Sequence, residues 1–122
     1  MNQIRGIMAT TVRPLVSVIV VTYNSSKTVE ETLDSVARQS YHNIELVVTD
    51  DYSTDNTRDI IDRWVAANDD RFADVVKVYS DVNTGPASDA NRGMVSSHGQ
   101  FIKGMSGDDC LVENAIERYG KD

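Results

Sequence analysis

The sequence has one cysteine, Cys110, so no disulfide can form within the chain. No run of consecutive apolar residues is longer than residues 18–21, whereas a helix that crosses a bilayer needs roughly 20 apolar residues. Residues 1–13 contain no apolar stretch like the centre of a secretory signal peptide. We therefore expect a cytoplasmic protein, in which any association with the inner face of the membrane depends on other segments.

Positive charge is also scarce. The 12 Lys and Arg residues are outnumbered by 19 Asp and Glu residues, which gives a formal net charge of −7. This balance excludes nucleic acid as a partner, because binding to a phosphate backbone relies on a basic surface. A hydrophobic content of 40% in 122 residues is typical of one globular domain. We expect residues 1–13 to form a lead-in and residues 14–122 to form the domain.

Short β-branched runs alternate with longer segments of helical periodicity. The predicted strands cover residues 16–21, 44–48, 75–79 and 101–105. The predicted helices begin at Thr28, where Thr28 and Glu31 fit a capping box, after residues 53–55, at Pro86, and at residue 111. This order requires right-handed crossovers, so it predicts an α/β fold with a mostly parallel sheet and helices on both faces.

Polar residues follow every predicted strand, and ligands bind beyond the carboxyl ends of strands in such sheets. The polar groups are Thr22-Tyr23-Asn24, Asp50-Asp51, Asp81 with Asn83 and Gly85, and Ser106 to Asp109. Helix capping explains single residues such as Ser53. It explains two pairs of adjacent aspartates less well, because like charges repel. A ligand or cation site is therefore favoured over capping alone.

Two common phosphate-binding motifs are absent. No Gly-x-Gly-x-x-Gly follows the first strand and no Gly-Lys-Ser/Thr loop occurs, which disfavours dinucleotide and P-loop sites. A diphosphate in an acidic crevice would be repelled unless a divalent cation lay between them. Mg²⁺ and Mn²⁺ commonly bind through one or two carboxylates together with ligand phosphates. Asp108 and Asp109 are the predicted metal ligands, which leaves Asp50 and Asp51 free to accept hydrogen bonds from a base or ribose.

Four segments resemble the signatures of family 2 glycosyltransferases of the GT-A fold. They are residues 16–24, residues 45–57 with Asp50-Asp51-Tyr52-Ser53, residues 83–93 with Asn83-Thr84-Gly85-Pro86, and residues 99–109 ending in Asp108-Asp109. The resemblance covers about residues 14–119. It implies the Rossmann-like, nucleotide-binding half of an inverting GT-A enzyme. The implied donor is a nucleotide sugar, with UDP-sugar the expected class, and the implied acceptor is a glycan or glycolipid, as in polysaccharide biosynthesis.

The resemblance also implies roles for individual residues. Asp51 would contact the uracil or its equivalent, with Asp50 as a second candidate. The other residues implied in donor binding are Thr22, Tyr23, Asn24, Asn83, Gly85 and Asn91. Asp108, and with it Asp109, would hold the Mn²⁺ or Mg²⁺ that bridges the diphosphate.

Three positions depart from the family pattern. Tyr52 replaces the usual glycine, so that turn must tolerate a side chain or bend differently. Ala90 stands where many members have arginine, with Arg92 nearby. Ser106 occupies the first acidic position of the Asp-x-Asp motif, which places metal binding on the two aspartates that follow.

The family pattern continues past the metal motif into an acceptor-binding half that supplies a general base. Glu113 and Glu117 are expected to face solvent, so the catalytic base is unassigned, and residues 14–122 resemble a truncated, donor-binding half that is inactive alone. A non-catalytic nucleotide-binding or interaction module that retains the fold is the alternative. A phospho-receiver domain is less favoured, because it needs an acid pair after strand one. We further expect His42 and His98 at the surface, Trp64 in the core and Cys110 buried.

Overall fold

The computed structural model describes residues 13–119, so nearly all of the predicted lead-in lies outside the described residues. The strands are β1 (Val16–Thr22), β2 (Ile44–Asp50), β3 (Asp74–Tyr79) and β4 (Phe101–Ser106). The helices are α1 (Val29–Ala37), α2 (Thr57–Asn68), α3 (Pro86–Ser96) and α4 (Ala115–Tyr119), with a 3₁₀ turn at Asp69–Arg71. None of the helices in this part of the chain is long and apolar enough to cross a membrane.

The four strands form one parallel sheet in the order β3-β2-β1-β4. At its carboxyl edge Thr22 lies opposite Asp50, and Val21 lies opposite Ser106. The prediction of a mostly parallel α/β sheet is confirmed. The polar residues that follow β1, β2 and β4 therefore meet at one edge.

Each face of the central strands contributes to a different packing layer. Val16, Val18 and Val20 on β1 belong to the buried cluster that also contains Leu33 of α1 and Trp64 of α2. The predicted core position of Trp64 is thus confirmed. Burying a side chain such as Leu33 completely stabilises a fold by about 1.5–3 kcal/mol. This cluster fixes α1 and α2 on one side of the sheet.

Helix α3 lies close against the opposite face. A Cβ atom at Gly93 would come within 2.6 Å of Ile19 Cγ2 and 3.3 Å of Thr49 Cγ2, so only glycine permits this approach. Gly85 ends the preceding loop with φ of 94°, a conformation that favours glycine, and Pro86 begins the helix. The turn at Gly85 and the close packing at Gly93 place the start of α3 at the carboxyl edge of the sheet.

Three local predictions differ from the structure. Thr28 precedes α1, but its hydroxyl donates to the carbonyl oxygen of Gly107 at 2.8 Å instead of closing a capping box. The last helix begins at Ala115 rather than at residue 111, and the N–H of Leu111, in the loop before it, donates to the Ser35 hydroxyl at 3.1 Å. Cys110 is exposed, not buried, since it lies on the loop after β4.

Candidate functional site

A cavity of about 720 Å³ opens at the carboxyl ends of β1, β2 and β4, beside the start of α3. Seven of the predicted site residues line it: Thr22, Tyr23, Asn24, Asp51, Asn83, Gly85 and Asp108. Asp50, Asn91 and Asp109 do not belong to its lining. The structure thus brings together most, but not all, of the residues singled out from the sequence.

Asp50 ends β2 and is completely buried. Its carboxylate accepts hydrogen bonds from the Thr22 hydroxyl at 2.6 Å, from the N–H and hydroxyl of Ser53 at 2.9 and 2.5 Å, and from Arg58 Nε at 2.7 Å. Burial alone would raise the pKa of Asp50, but these hydrogen bonds outweigh it and lower the pKa. With its oxygens occupied and away from the cavity, Asp50 joins β1, β2 and α2.

Asp51 is 2% exposed and turns towards the start of α3. Its Oδ1 accepts from the N–H and hydroxyl of Thr84, both at 2.9 Å, and from Arg92 Nη2 at 2.9 Å. Its Oδ2 accepts from the Gly85 N–H at 2.7 Å. Burial alone would raise the pKa of Asp51, but the hydrogen bonds from these donors have the larger effect and lower the pKa to about 2. Asp51 is therefore a fixed, ionised acceptor in the cavity wall.

The adjacent aspartates avoid mutual repulsion because each has its own arginine. Arg58 forms an ion pair with Asp50, and Arg92 forms one with Asp51. No motif in the sequence points to Arg58, which lies eight residues beyond its partner. Arg92 stands out in the sequence only by its position near Ala90. In the structure it is the cation that orients Asp51.

Asp89 was missed in the sequence and is completely buried between α3 and the sheet, at the edge of the cavity. Its Oδ1 accepts from the Thr49 hydroxyl at 2.6 Å and from Arg92 Nη2 at 3.2 Å, while Oδ2 has no hydrogen-bond partner in residues 13–119. Burial raises the pKa of Asp89 by more than the hydrogen bond from Thr49 and the charge of Arg92 lower it. The available signal was its spacing of four residues from Gly93, which puts both on the sheet-facing side of α3.

The loops that follow β1 and β2 are tied together. Asn24 Oδ1 accepts from the Thr54 N–H at 2.8 Å, and the Asn24 N–H donates to Ser53 Oγ at 2.8 Å. Tyr52 adopts a left-handed backbone with φ of 67°, so the turn where the family has glycine tolerates a half-exposed side chain. Tyr23 is 47% exposed on the cavity wall and offers an aromatic surface there.

The second acid pair lies on an exposed turn after β4. The Gly107 N–H donates to Val21 O at 2.9 Å, which holds the turn beside β1. Asp109 Oδ2 accepts the Ser106 N–H at 2.9 Å and so stabilises the turn itself. Asp108 lines the cavity, and its carboxylate has no hydrogen bond or ion pair with any residue from 13 to 119. Asp108 is thus the carboxylate on the cavity wall that has no protein partner in residues 13–119, and the assignment of Asp108 and Asp109 as metal ligands stays a prediction.

The remaining predicted residues lie away from the cavity. Asn91 is exposed on α3, since a position two residues from both Asp89 and Gly93 points away from the sheet. Glu113 is exposed as expected, whereas Glu117 is half-buried and accepts the Ser40 hydroxyl at 2.8 Å. Neither glutamate lines the cavity.

Comparison with known sequences gives a consistent result. The family described as Glycosyl transferase family 2 matches residues 17–119. The chain is 38% identical over 104 residues to glycosyltransferase GlyG of Streptococcus pneumoniae, covering 84% of this chain and 33% of GlyG. It is 30% identical over 105 residues to a GalNAc(5)-diNAcBac-PP-undecaprenol beta-1,3-glucosyltransferase of Campylobacter jejuni, covering 84% of this chain and 32% of that protein. The chain therefore spans about a third of the length of these relatives.

Solved structures share the fold. Staphylococcus aureus TarS 1-349 in complex with UDP has a TM-score of 0.77 and 29% identity, covering 87% of this chain and 31% of TarS 1-349. Mannosyltransferase PcManGT from Pyrobaculum calidifontis, in complex with GDP-Man and Mn²⁺, has a TM-score of 0.76 and 32% identity, covering 83% of this chain and 29% of PcManGT. The predicted GT-A fold is confirmed, and because the family match extends over most of the chain, this protein belongs to glycosyl transferase family 2.

Proposed function

We propose that residues 14–122 form the donor-binding unit of an inverting glycosyltransferase that uses a UDP-sugar and a divalent cation, Mn²⁺ or Mg²⁺. One observation carries this proposal: Asp51 and Asp108 lie on the wall of the same cavity in opposite electrostatic situations. Asp51 is held by four hydrogen bonds, whereas Asp108 has no partner in residues 13–119. The first is suited to read a base, and the second is suited to hold a cation.

The acceptor capacity of Asp51 favours uracil. Three donors already occupy Oδ1, and one occupies Oδ2, so the carboxylate has room for about one further N–H. Uracil presents a single N–H donor at N3, whereas cytosine presents an acceptor there. Guanine presents two adjacent donors, which a carboxylate satisfies best with both oxygens free. A base with one edge N–H therefore fits Asp51 best.

The rest of the cavity is consistent with a nucleotide. Its volume of about 720 Å³ lies in the range of roughly 300–1,000 Å³ that is usual for small-molecule sites. Tyr23 offers an aromatic face on which a base can stack. Lys27 also lines the cavity and supplies positive charge near a diphosphate.

The donor set at the β4 turn fits a hard divalent cation. Asp108 is an exposed carboxylate on the cavity wall without a cationic partner in residues 13–119, and Asp109 adjoins it. When bound, such a cation stabilises the charge that develops on the departing nucleoside diphosphate. The protein's own contribution is to fix the turn through Gly107 and to keep Asp51 ionised and oriented. The PcManGT structure, which contains GDP-Man and Mn²⁺, supports the same type of site.

A glycan or glycolipid is the proposed acceptor, in agreement with the undecaprenol-linked substrate in the name of the Campylobacter jejuni relative. This acceptor class would place the enzyme at the inner face of the membrane. Glu113 and Glu117 do not line the cavity, so we assign neither as the general base. We expect the 122-residue chain alone to transfer no sugar at a useful rate, and steady turnover with a panel of nucleotide sugars would overturn this expectation.

Isothermal titration calorimetry with uridine, UMP and UDP, each with and without Mn²⁺, tests the donor site. The wild-type chain should bind UDP more tightly with Mn²⁺ than without it, while uridine should show no such dependence. Asp108→Ala should lower the affinity for UDP in Mn²⁺ by about tenfold or more and leave uridine binding unchanged. Asp70→Ala, which removes an exposed aspartate outside the cavity, is the matched control.

Two results would count against the proposal in different ways. Equal UDP affinities for Asp108→Ala and the wild type in Mn²⁺ would remove the metal assignment but keep the nucleotide site. Absence of binding to UDP and uridine under all conditions would favour the alternative, a non-catalytic interaction module that retains the fold.

A further inference from the structure

A second cluster of ligating side chains lies at the opposite edge of the sheet. Glu45, Asp74 and His98 each place one potential ligand atom within 4.8 Å of the others. Glu45 is the second residue of β2, five residues before Asp50, which corresponds to about 16 Å at roughly 3.3 Å per residue. The cluster is therefore separate from the donor cavity and cannot share a cation with Asp108.

Glu45 is 1% exposed although it carries a carboxylate, and its orientation is fixed. Its Oε1 accepts from the Ser17 hydroxyl at 2.7 Å and from the His98 N–H at 2.8 Å. Its Oε2 lies 2.7 Å from His98 Nδ1. Burying a carboxylate is unfavourable unless it is paired. Here the hydrogen bonds to one oxygen hold the other one towards the histidine ring.

His98 and Asp74 complete the cluster from two other segments. The backbone at His98 is anchored because the next residue, Gly99, donates its N–H to Ser17 Oγ at 2.8 Å. The imidazole itself is 68% exposed, so an ion can reach it from solvent. Asp74 lies opposite Glu45 in the β2–β3 register, and its Oδ1 accepts the N–H of Val75 at 2.9 Å. Its carboxylate is exposed beside the ring.

We propose that Glu45, Asp74 and His98 form a binding site for Zn²⁺ or another divalent ion that accepts imidazole nitrogen. One nitrogen and two carboxylate oxygens are ligands that Zn²⁺ uses, and water fills the fourth position when only three protein ligands are present. Tetrahedral coordination with bonds of about 2.0 Å separates ligand atoms by about 3.3 Å. Nδ1 and Oε2 are 2.7 Å apart in the structure, so we expect the exposed imidazole to move when the ion binds.

The bound ion links three parts of the fold. It joins the start of β2, the start of β3 and the loop between α3 and β4, with the Ser17 hydroxyl orienting the buried carboxylate. An ion that binds the folded chain and not the unfolded chain stabilises the fold, and the stabilisation increases with the logarithm of the ion concentration once this exceeds the Kd. The expected effect of Zn²⁺ is therefore a higher Tm, independent of any nucleotide.

The test is a titration of the metal-free 122-residue chain with Zn²⁺, followed by calorimetry and thermal unfolding, and with Co²⁺, followed by its visible absorption. One ion should bind per chain at this cluster, the Tm should rise, and Co²⁺ should show the bands of a tetrahedral or five-coordinate site. His98→Ala and Asp74→Asn should each weaken binding by about tenfold or more. Asp74→Asn changes an exposed side chain and should fold, whereas His98→Ala also removes the ring partner of the buried Glu45, so the Tm of each variant is compared with and without the metal.

Two controls separate this site from other sources of metal binding. His42→Ala removes the other histidine of the sequence, which is exposed, and should leave the Zn²⁺ affinity unchanged. Asp108→Ala should also leave it unchanged, whatever happens to UDP binding. The proposal is overturned if Zn²⁺ neither binds nor raises the Tm of the wild type. It is equally overturned if His98→Ala binds Zn²⁺ as tightly as the wild type does.

Discussion

The two pairs of adjacent aspartates have the same sequence but opposite surroundings. Asp50 and Asp51 are buried, and each forms an ion pair with its own arginine. Asp108 and Asp109 are exposed, and neither forms an ion pair with a residue between 13 and 119. A buried carboxylate must be paired with protein donors to remain ionised. An exposed carboxylate is solvated by water and is accessible to a cation from solvent.

The position of the preceding strand explains this difference. Strand β2 lies between β3 and β1, so the residues at its end are covered by loops and by α3. Strand β4 lies at the edge of the sheet, so the turn that follows it is covered on fewer sides. The pair at the end of β2 is therefore buried and held by protein donors, whereas the pair after β4 is open to solvent.

Removing an interior aspartate should have the largest effect on stability. Asp50→Ala leaves Arg58 without its partner and removes the acceptor for Thr22 and Ser53. We expect the free energy of unfolding, measured with urea, to fall by about 3–5 kcal/mol. The matched change Asp108→Ala should alter it by less than about 0.5 kcal/mol. Equal losses in the two variants would contradict the distinction between interior and edge.

The dependence of stability on pH tests the role of the buried Asp51. Hydrogen bonds from Thr84, Gly85 and Arg92 lower the pKa of Asp51 from its ordinary value of 3.8 to about 2 in the folded protein. Its contribution to stability is therefore complete above about pH 4 and is lost as the pH falls towards 2, on the order of 2 kcal/mol. Asp51→Asn should flatten the stability curve between pH 4 and pH 2, measured by urea unfolding. A slope in Asp51→Asn equal to that of the wild type would contradict this prediction.

The difference in affinity between two nucleotides tests whether Asp51 contacts the base. The wild-type chain should bind UDP more tightly than CDP by about 1–2 kcal/mol, because the carboxylate of Asp51 would face the acceptor N3 of cytosine. Asp51→Asn should reduce this preference, since an amide can donate as well as accept. Competition calorimetry with the two nucleotides provides the measurement. An unchanged preference in Asp51→Asn would show that Asp51 does not contact the base.

A substitution at Tyr52, directly after Asp51, should have the smallest effect on stability. Tyr52→Gly removes a side chain from a backbone with φ of 67° and should stabilise the protein by up to about 1 kcal/mol. Urea unfolding would detect the gain, and UDP affinity should not change. A loss of stability would mean that the Tyr52 side chain contributes contacts worth more than the strain.

The strands and the edge at which the polar residues meet could be predicted because the pattern of apolar residues is local. The hydrogen-bond and ion-pair partners of those polar residues could not be predicted, because they depend on how the helices pack. Arg58 and Arg92 reach Asp50 and Asp51 only after helices α2 and α3 have packed on the sheet. Thr28 was predicted to cap α1, yet the fold brings Gly107 O to its hydroxyl. Asp89 is buried because α3 packs on the sheet and brings its carboxylate to the Thr49 hydroxyl.

The carbonyl oxygen of Gly107 has a wider mechanical consequence. It accepts hydroxyl hydrogen bonds from both Thr28, at 2.8 Å, and Thr32, at 2.9 Å. The turn that carries Asp108 is thus hydrogen-bonded to the start of α1, which restricts its movement relative to the helix. Any displacement of this turn is therefore expected to involve α1 as well.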